Sequence, residues 1–193
     1  MIRYKLTDQD CRTHGGFQWE PGEWKEATGA GNDQCTDGVL HYYDSPRIAA
    51  LLNPGHARIA DPVLWELETV NELGHDGVKG WCKRARITRR LPLPELTTEQ
   101  RIVFAIRAAM LVCFDPPWVK WATGWLNGSD RTPESAYAAL GGVMNPATCD
   151  AAEAAIHADD EMAALAANDV TLDIWRGDVP AIRHQLNKIA EEL

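Results

Sequence analysis

Short apolar and aromatic runs broken by glycine and proline fill the first half of the chain, which is the punctuation of a β-rich region. The runs Ile2–Leu6, Gly16–Trp19, Val39–Tyr43, Val63–Leu73 and Val78–Leu91 predict strands, separated by turn signals such as Gly15-Gly16, Pro21-Gly22 and Gly74-His75-Asp76-Gly77. Within Val63–Val70 the positions alternate, with Val63, Trp65, Leu67 and Thr69 on one face and Leu64, Glu66, Glu68 and Val70 on the other. Such a period of two describes a strand with one buried face. The last two runs, joined across residues 74–77, predict a hairpin. Ser45 is placed to cap one or two helical turns over Arg47–Leu52, ending at Asn53-Pro54-Gly55.

After Leu91-Pro-Leu-Pro-Glu95 the apolar spacing becomes helical. Thr97 with Gln100 is a capping box for a helix over Thr98–Phe114. Asp115-Pro116-Pro117 starts a second helix that stops at Gly128, and Thr132-Pro133 starts a third that reaches Leu140. A longer alanine-rich helix is expected over Ala147–Asn168, and Asp178 caps a last one over Pro180–Leu193. The expected fold is α+β: an N-terminal antiparallel sheet region followed by a C-terminal bundle of four to five helices. The expected domains are 1–95, β-rich, and 96–193, acidic and helical.

Composition changes this picture little, and charge changes it more. The 193 residues are 45% hydrophobic and 24% charged, enough apolar mass for a real core. The net charge of −9 argues against a protein that grips duplex DNA by neutralising phosphates, and for a basic partner. Residues 1–95 carry 12 Lys/Arg against 14 Asp/Glu, whereas residues 96–193 carry 7 against 14, so the helical half holds most of the acidity. The five cysteines are an odd number without CxxC spacing, and no apolar leader follows Met1, so reduced thiols in a cytoplasm are expected. The longest apolar stretch, Ala108–Phe114, is far shorter than the ~20 residues that span a bilayer.

The common catalytic signatures are missing: there is no GxSxG, no GxxxxGK, no GxGxxG after a strand, and the six histidines show no metal-ligand spacing. No catalytic residue, metal site or cofactor is expected on that basis. Two charged clusters remain as candidate contacts. Glu153, Asp159, Asp160 and Glu161 offer an acidic helix face that would bind a basic groove, against the simpler reading of a solvated face. Lys83, Arg84, Arg86, Arg89 and Arg90 offer an anion or partner contact, against the simpler reading of a charged edge strand. The tryptophans Trp118, Trp121 and Trp125 share a helix face and read as core.

Tyr4-Lys5, Cys11-Arg12, Gly16-Phe17-Gln18-Trp19-x-x-Gly22, Cys35-x-x-Gly38-x-x-His41, Tyr42-Tyr43, Ser45-Pro46, Trp65-Glu66-Leu67-Glu68 and the segment from Arg89 to Leu96 occur in that order. In these the N-terminal half resembles an uncharacterised family of domains from bacteriophage and prophage proteins, departing from it by the insertion Thr13-His14-Gly15. The second half, through Trp121-Ala122-x-Gly124-Trp125-Leu126-x-Gly128-x-Asp130-Arg131-Thr132, looks like the alanine- and tryptophan-rich helical tails that follow such domains. The resemblance implies a phage-encoded interaction module in the host cytoplasm, an inhibitor of a host defence or nucleic-acid-handling complex in the manner of anti-CRISPR proteins. A small virion component is a further alternative. The segment from Gly38 to Tyr43, with Ser45 and Ala49-Ala50, is also similar to the nucleotide-clamping strand and helix of ADP-ribosyltransferases. That likeness implies His14 on the nicotinamide ribose, Tyr43 stacked on the nicotinamide ring, and Glu68 or Glu72 stabilising the oxocarbenium ion of NAD cleavage.

Overall fold

The computed structural model describes residues 2–34, 36–141, 145–158, 160–176 and 180–193, and the chain divides into two compact units, Met1–Glu95 and Leu96–Leu193. The class is α+β: a five-stranded antiparallel sheet belongs to the first unit, and a helical bundle forms the second.

In the first unit the strands are β1 (Arg3–Thr7), β2 (Lys25–Glu26), β3 (Leu40–Tyr43), β4 (Val63–His75) and β5 (Lys79–Leu91). β4 and β5 form the long hairpin that the alternating pattern predicts, turning at Asp76-Gly77-Val78. The Asp76 carboxylate accepts from the backbone N–H groups of Val78 and Lys79, at 3.0 and 2.9 Å, which fixes that turn. β1 pairs with β3 and β4, and β5 pairs with β3 and β4, so four strands close into a ring, and β2 adds to β5 beyond the end of β3. Closure removes free sheet edges along the paired stretch.

The inner face of this small barrel is packed by Leu40 and Tyr42 from β3, Val63, Trp65 and Leu67 from β4, Cys82, Ala85 and Ile87 from β5, and Trp19. Trp19 is wholly buried, and its indole N–H donates to Thr13 Oγ1 at 3.1 Å. Trp65 donates to the buried Thr7 Oγ1 at 3.0 Å, so each large ring has its one donor satisfied. On the outside, α1 (Pro46–His56) packs Ile48, Ala49, Leu51 and Leu52 into the unit, against β1 and β3. Ser45 caps it as expected, accepting from Ile48 N at 3.2 Å. α1 continues past the expected stop at Leu52, because Asn53 ties the chain beyond it: its amide donates to the Ile59 carbonyl and its oxygen accepts from Ile59 N.

The expected strand Gly16–Trp19 is not formed. His14–Gly16 is a single 3-10 turn in which Gly15 and Gly16 have φ of +69° and +76°, a region that only glycine enters freely, and the segment joins its neighbour through one bridge, Arg12 to Gln18. The two-residue β2 was not foreseen, since so short a strand has no period to read.

The second unit contains six helices among the described residues: α2 (Thr98–Ala109), α3 (Pro116–Leu126), α4 (Pro133–Leu140), α5 (Pro146–His157), α6 (Asp160–Arg176) and α7 (Pro180–Glu191). The bundle therefore exceeds the four to five helices expected, because the long alanine-rich helix is two. Ala158 takes a left-handed conformation, φ +49° and ψ +31°, and ends α5 with its N–H on the Ala154 carbonyl. High propensity on both sides of that residue conceals the break from a propensity argument. The predicted capping box of α2 and the caps Asp115 and Thr132 are all in place. Trp118, Trp121 and Trp125 are buried, and the first two rings lie 4.9 Å apart. Ala105, Ala108, Ala109, Ala151, Ala152 and Ala163 are wholly buried, letting helix backbones approach closely.

A cationic cavity in the barrel seam

β1 and β3 meet at a single residue pair, Tyr4 with Tyr43. Where their ladder stops, Lys5 Nζ donates to the carbonyl of His41 at 2.8 Å, the bond a strand N–H would otherwise make. The gap opens into a cavity of about 770 Å³, within the range of small-molecule sites. Its wall comes from β1 and β3, the 13–17 turn, the loop around residues 27–37, and the last turn of α1 with the residues after it.

Among its Lys, His and carboxylate groups the basic ones predominate. Lys5, His41, His56, Lys79 and His14 line it, and Asp37 is the one carboxylate among the lining residues. Phe17, Trp19, Leu40, Tyr43 and Ile59 supply apolar wall. Burial pulls the Lys5 ammonium down to about 8, with Lys79 adding like-charge repulsion. Burial likewise takes His41 down to about 4, helped by Lys5 and Lys79, and His56 down to about 4, helped by Lys79. Tyr43 is raised by burial, with Asp76 adding to the rise. At neutral pH the His41 and His56 imidazoles are thus neutral, and Lys5 is mostly charged.

Both ring nitrogens of His56 are shut off from solvent, with no hydrogen-bond partner among the described residues. A buried donor and acceptor left unmade cost about 1–3 kcal/mol each, so such a group calls for a partner. Lys5 also makes no ion pair among the described residues; beyond its carbonyl it has the Trp19 ring, 5.6 Å away. This arrangement can hold an anion: Lys5 and Lys79 line the cavity with Asp37 as its one lining carboxylate, while the buried Asp76 carboxylate acts on His41 and His56 from the β4–β5 turn.

The residues singled out from the sequence fall in different places. His14 and Tyr43 line this same cavity, whereas Glu68 and Glu72 do not. Glu68 pairs with Arg86 at 2.7 Å. Glu72 is held by Arg3 at 3.0 Å and by the Thr69 hydroxyl, and the Arg3 hydrogen bond pulls its carboxyl down to about 2. The basic cluster is largely engaged within the sheet. Lys83 donates to the carbonyls of Gly31 and Gly38, both at 2.7 Å. Arg84 meets Glu26 at 3.5 Å, Arg89 pairs with Glu66, and Arg84 and Arg86 both lie over the Trp24 ring at 4.8 Å. Arg90 is exposed on β5. In the second unit Glu153 is exposed on α5, Asp160 and Glu161 open α6, and Asp159 lies outside the described residues.

Sequence reasoning missed Lys5, His41, His56 and Lys79 as a set. Lys5 and His41 sit in strands whose hydrophobic neighbours dominate the pattern, and His56 follows the Pro54-Gly55 pair that reads as a helix stop. The available signal was chemical: basic residues in the two strands that meet at the seam, and none of the four next to a carboxylate in sequence.

A small closed antiparallel barrel with a flanking helix and a basic, part-apolar cavity makes this unit an α+β domain built around a sheet closed on itself. The chain belongs to the family described as a domain of unknown function, DUF7666, whose model matches residues 1–99 and so takes in the whole barrel, α1 and the cavity. No curated protein and no solved structure matches the chain. Among the described residues no helix is long and apolar enough to cross a membrane.

Proposed function

We propose that the barrel unit is a binding module for a small anionic molecule, seated in the seam cavity with its charge toward Lys5 and Lys79. The observation that carries this is Lys5, which lines the cavity without an ion pair among the described residues, beside Lys79 and with Asp37 as the one lining carboxylate. The local charge runs against that of the whole chain, whose net is −9, and an electropositive hollow in an acidic protein selects for small anions over extended polyanions. Thermal unfolding and calorimetry of the full chain with inorganic phosphate, pyrophosphate, AMP, succinate and NAD test it. Binding by at least one of these, weakened in Lys5→Met and Lys79→Met, supports the reading; binding by none, or binding indifferent to both variants, overturns it. NAD belongs in the panel because His14 and Tyr43 line the cavity together, as the transferase likeness implies. A productive NAD site would then need a carboxylate other than Glu68 and Glu72.

A second reading concerns the helical unit, whose 14 acidic against 7 basic residues support a basic partner surface. With the phage resemblance, that supports an interaction module directed at a host complex. Glu153→Lys with Asp160→Lys should weaken capture of such a partner from a bacterial lysate; capture unchanged by both removes the acidic face from the account.

A further inference from the structure

Resting on that binding reading, we infer that the anion is a small oxo acid, and that Lys5 captures its carbonyl carbon as an imine. The geometry sets Lys5 apart from the chain's other five lysines. Its Nζ lies in the cavity with a backbone carbonyl at 2.8 Å and an indole face at 5.6 Å, both neutral, and no described carboxylate pairs with it. Lys25, by contrast, pairs with Glu20 and Glu23, Lys83 is bound by two carbonyls outside the cavity, and Lys120 and Lys188 are exposed. A lysine amine becomes a nucleophile when it is desolvated beside another cation, and Lys79 is that cation. With its proton affinity lowered to about 8, roughly one tenth of Lys5 is neutral at pH 7, against about 0.03% for an ordinary lysine.

Lys79 holds the carboxylate of the oxo acid while the Lys5 nitrogen lone pair adds to its carbonyl carbon. The C=O π pair moves to oxygen, which takes a proton from the nitrogen, giving a carbinolamine. The nitrogen lone pair then forms the C=N bond as that oxygen leaves with the second nitrogen proton as water. Nothing is oxidised or reduced. The neutral imidazole of His41 lines the same cavity, near enough to Lys5 to feel its charge, and is suited to carry the two protons between nitrogen and oxygen.

The test uses the full chain with glyoxylate or pyruvate at pH 7, cyanoborohydride to fix any imine as a secondary amine, and peptide mapping of all six lysines. The expected result is labelling of Lys5 about tenfold faster than Lys120 or Lys188, slowed by inorganic phosphate. Lys5→Arg, which keeps the charge without the nucleophilic amine, should lose the fast adduct. Labelling of Lys5 no faster than the exposed lysines, or labelling of Lys79 first, overturns the inference. If calorimetry shows anion binding but Lys5 is not trapped, capture falls and the binding reading stands; if neither occurs, both fall.

Discussion

Replacing Lys5 with methionine should stabilise the barrel unit, although it removes a hydrogen bond. The two side chains have similar length and volume, so packing is conserved and the difference is electrostatic. In the unfolded chain Lys5 titrates at its ordinary value near 10.5, and in the fold at about 8. A base whose affinity for protons falls on folding destabilises the fold wherever it is charged. The penalty is therefore complete below pH 8, shrinks between 8 and 10.5, and is gone above. The span of about 2.5 units corresponds to roughly 3 kcal/mol at pH 7. Against this, Lys5→Met leaves the His41 carbonyl without its donor, at about 1 kcal/mol, for a net gain near 2 kcal/mol. In a domain of this size that raises the midpoint by roughly 10 °C. Thermal unfolding followed by circular dichroism from pH 6 to 10.5, in a buffer without small anions, measures it. The wild type should gain stability on the variant as pH rises past 8. A variant less stable than wild type at pH 7, or a difference that ignores pH, would refute the reasoning.

Three further substitutions test the framework around the cavity. Thr7→Val deletes the buried hydroxyl that receives the Trp65 indole N–H, and should lower the urea-derived stability by about 1–3 kcal/mol. Gly80→Ala places a Cβ 2.3 Å from the Tyr42 ring, inside the β5 wall, and should destabilise by at least about 1–3 kcal/mol in the same assay. Ala158→Gly relieves the left-handed residue between α5 and α6, and should stabilise the helical unit by roughly 0.5–1 kcal/mol; a destabilised variant would show that the break is not held in that conformation.

The fold was legible wherever the pattern is long and the ends carry chemistry. The alternation of Val63, Trp65 and Leu67, the Asp-Gly turn, the Ser45 cap and the Thr97–Gln100 box each predicted an element that the structure contains. Legibility failed where a local rule has no span. β2 is two residues long, the Gly15-Gly16 turn resembles a strand entrance, and Ala158 is an alanine among alanines whose conformation depends on its neighbours in space. The closure of the sheet was not legible either, because nothing within β1 or β3 records that each has partners on both sides.

That closure is also why the cavity was hidden. Period-two logic assigns Tyr4 and Leu6 of β1 to the core and Lys5 to solvent. In the ring Lys5 is paired with Trp65, an inner-face residue of β4, so it shares the inward side with Thr7. A lysine there costs stability that a methionine would not, by the reckoning above, while the single-pair seam between β1 and β3 leaves room beside it that a longer ladder would fill. An unpaired cation and an open seam are each unfavourable for a barrel taken as a structural object. They occur at the same point. Independent packing defects have no reason to coincide, whereas the proposed anion site requires both: room and charge.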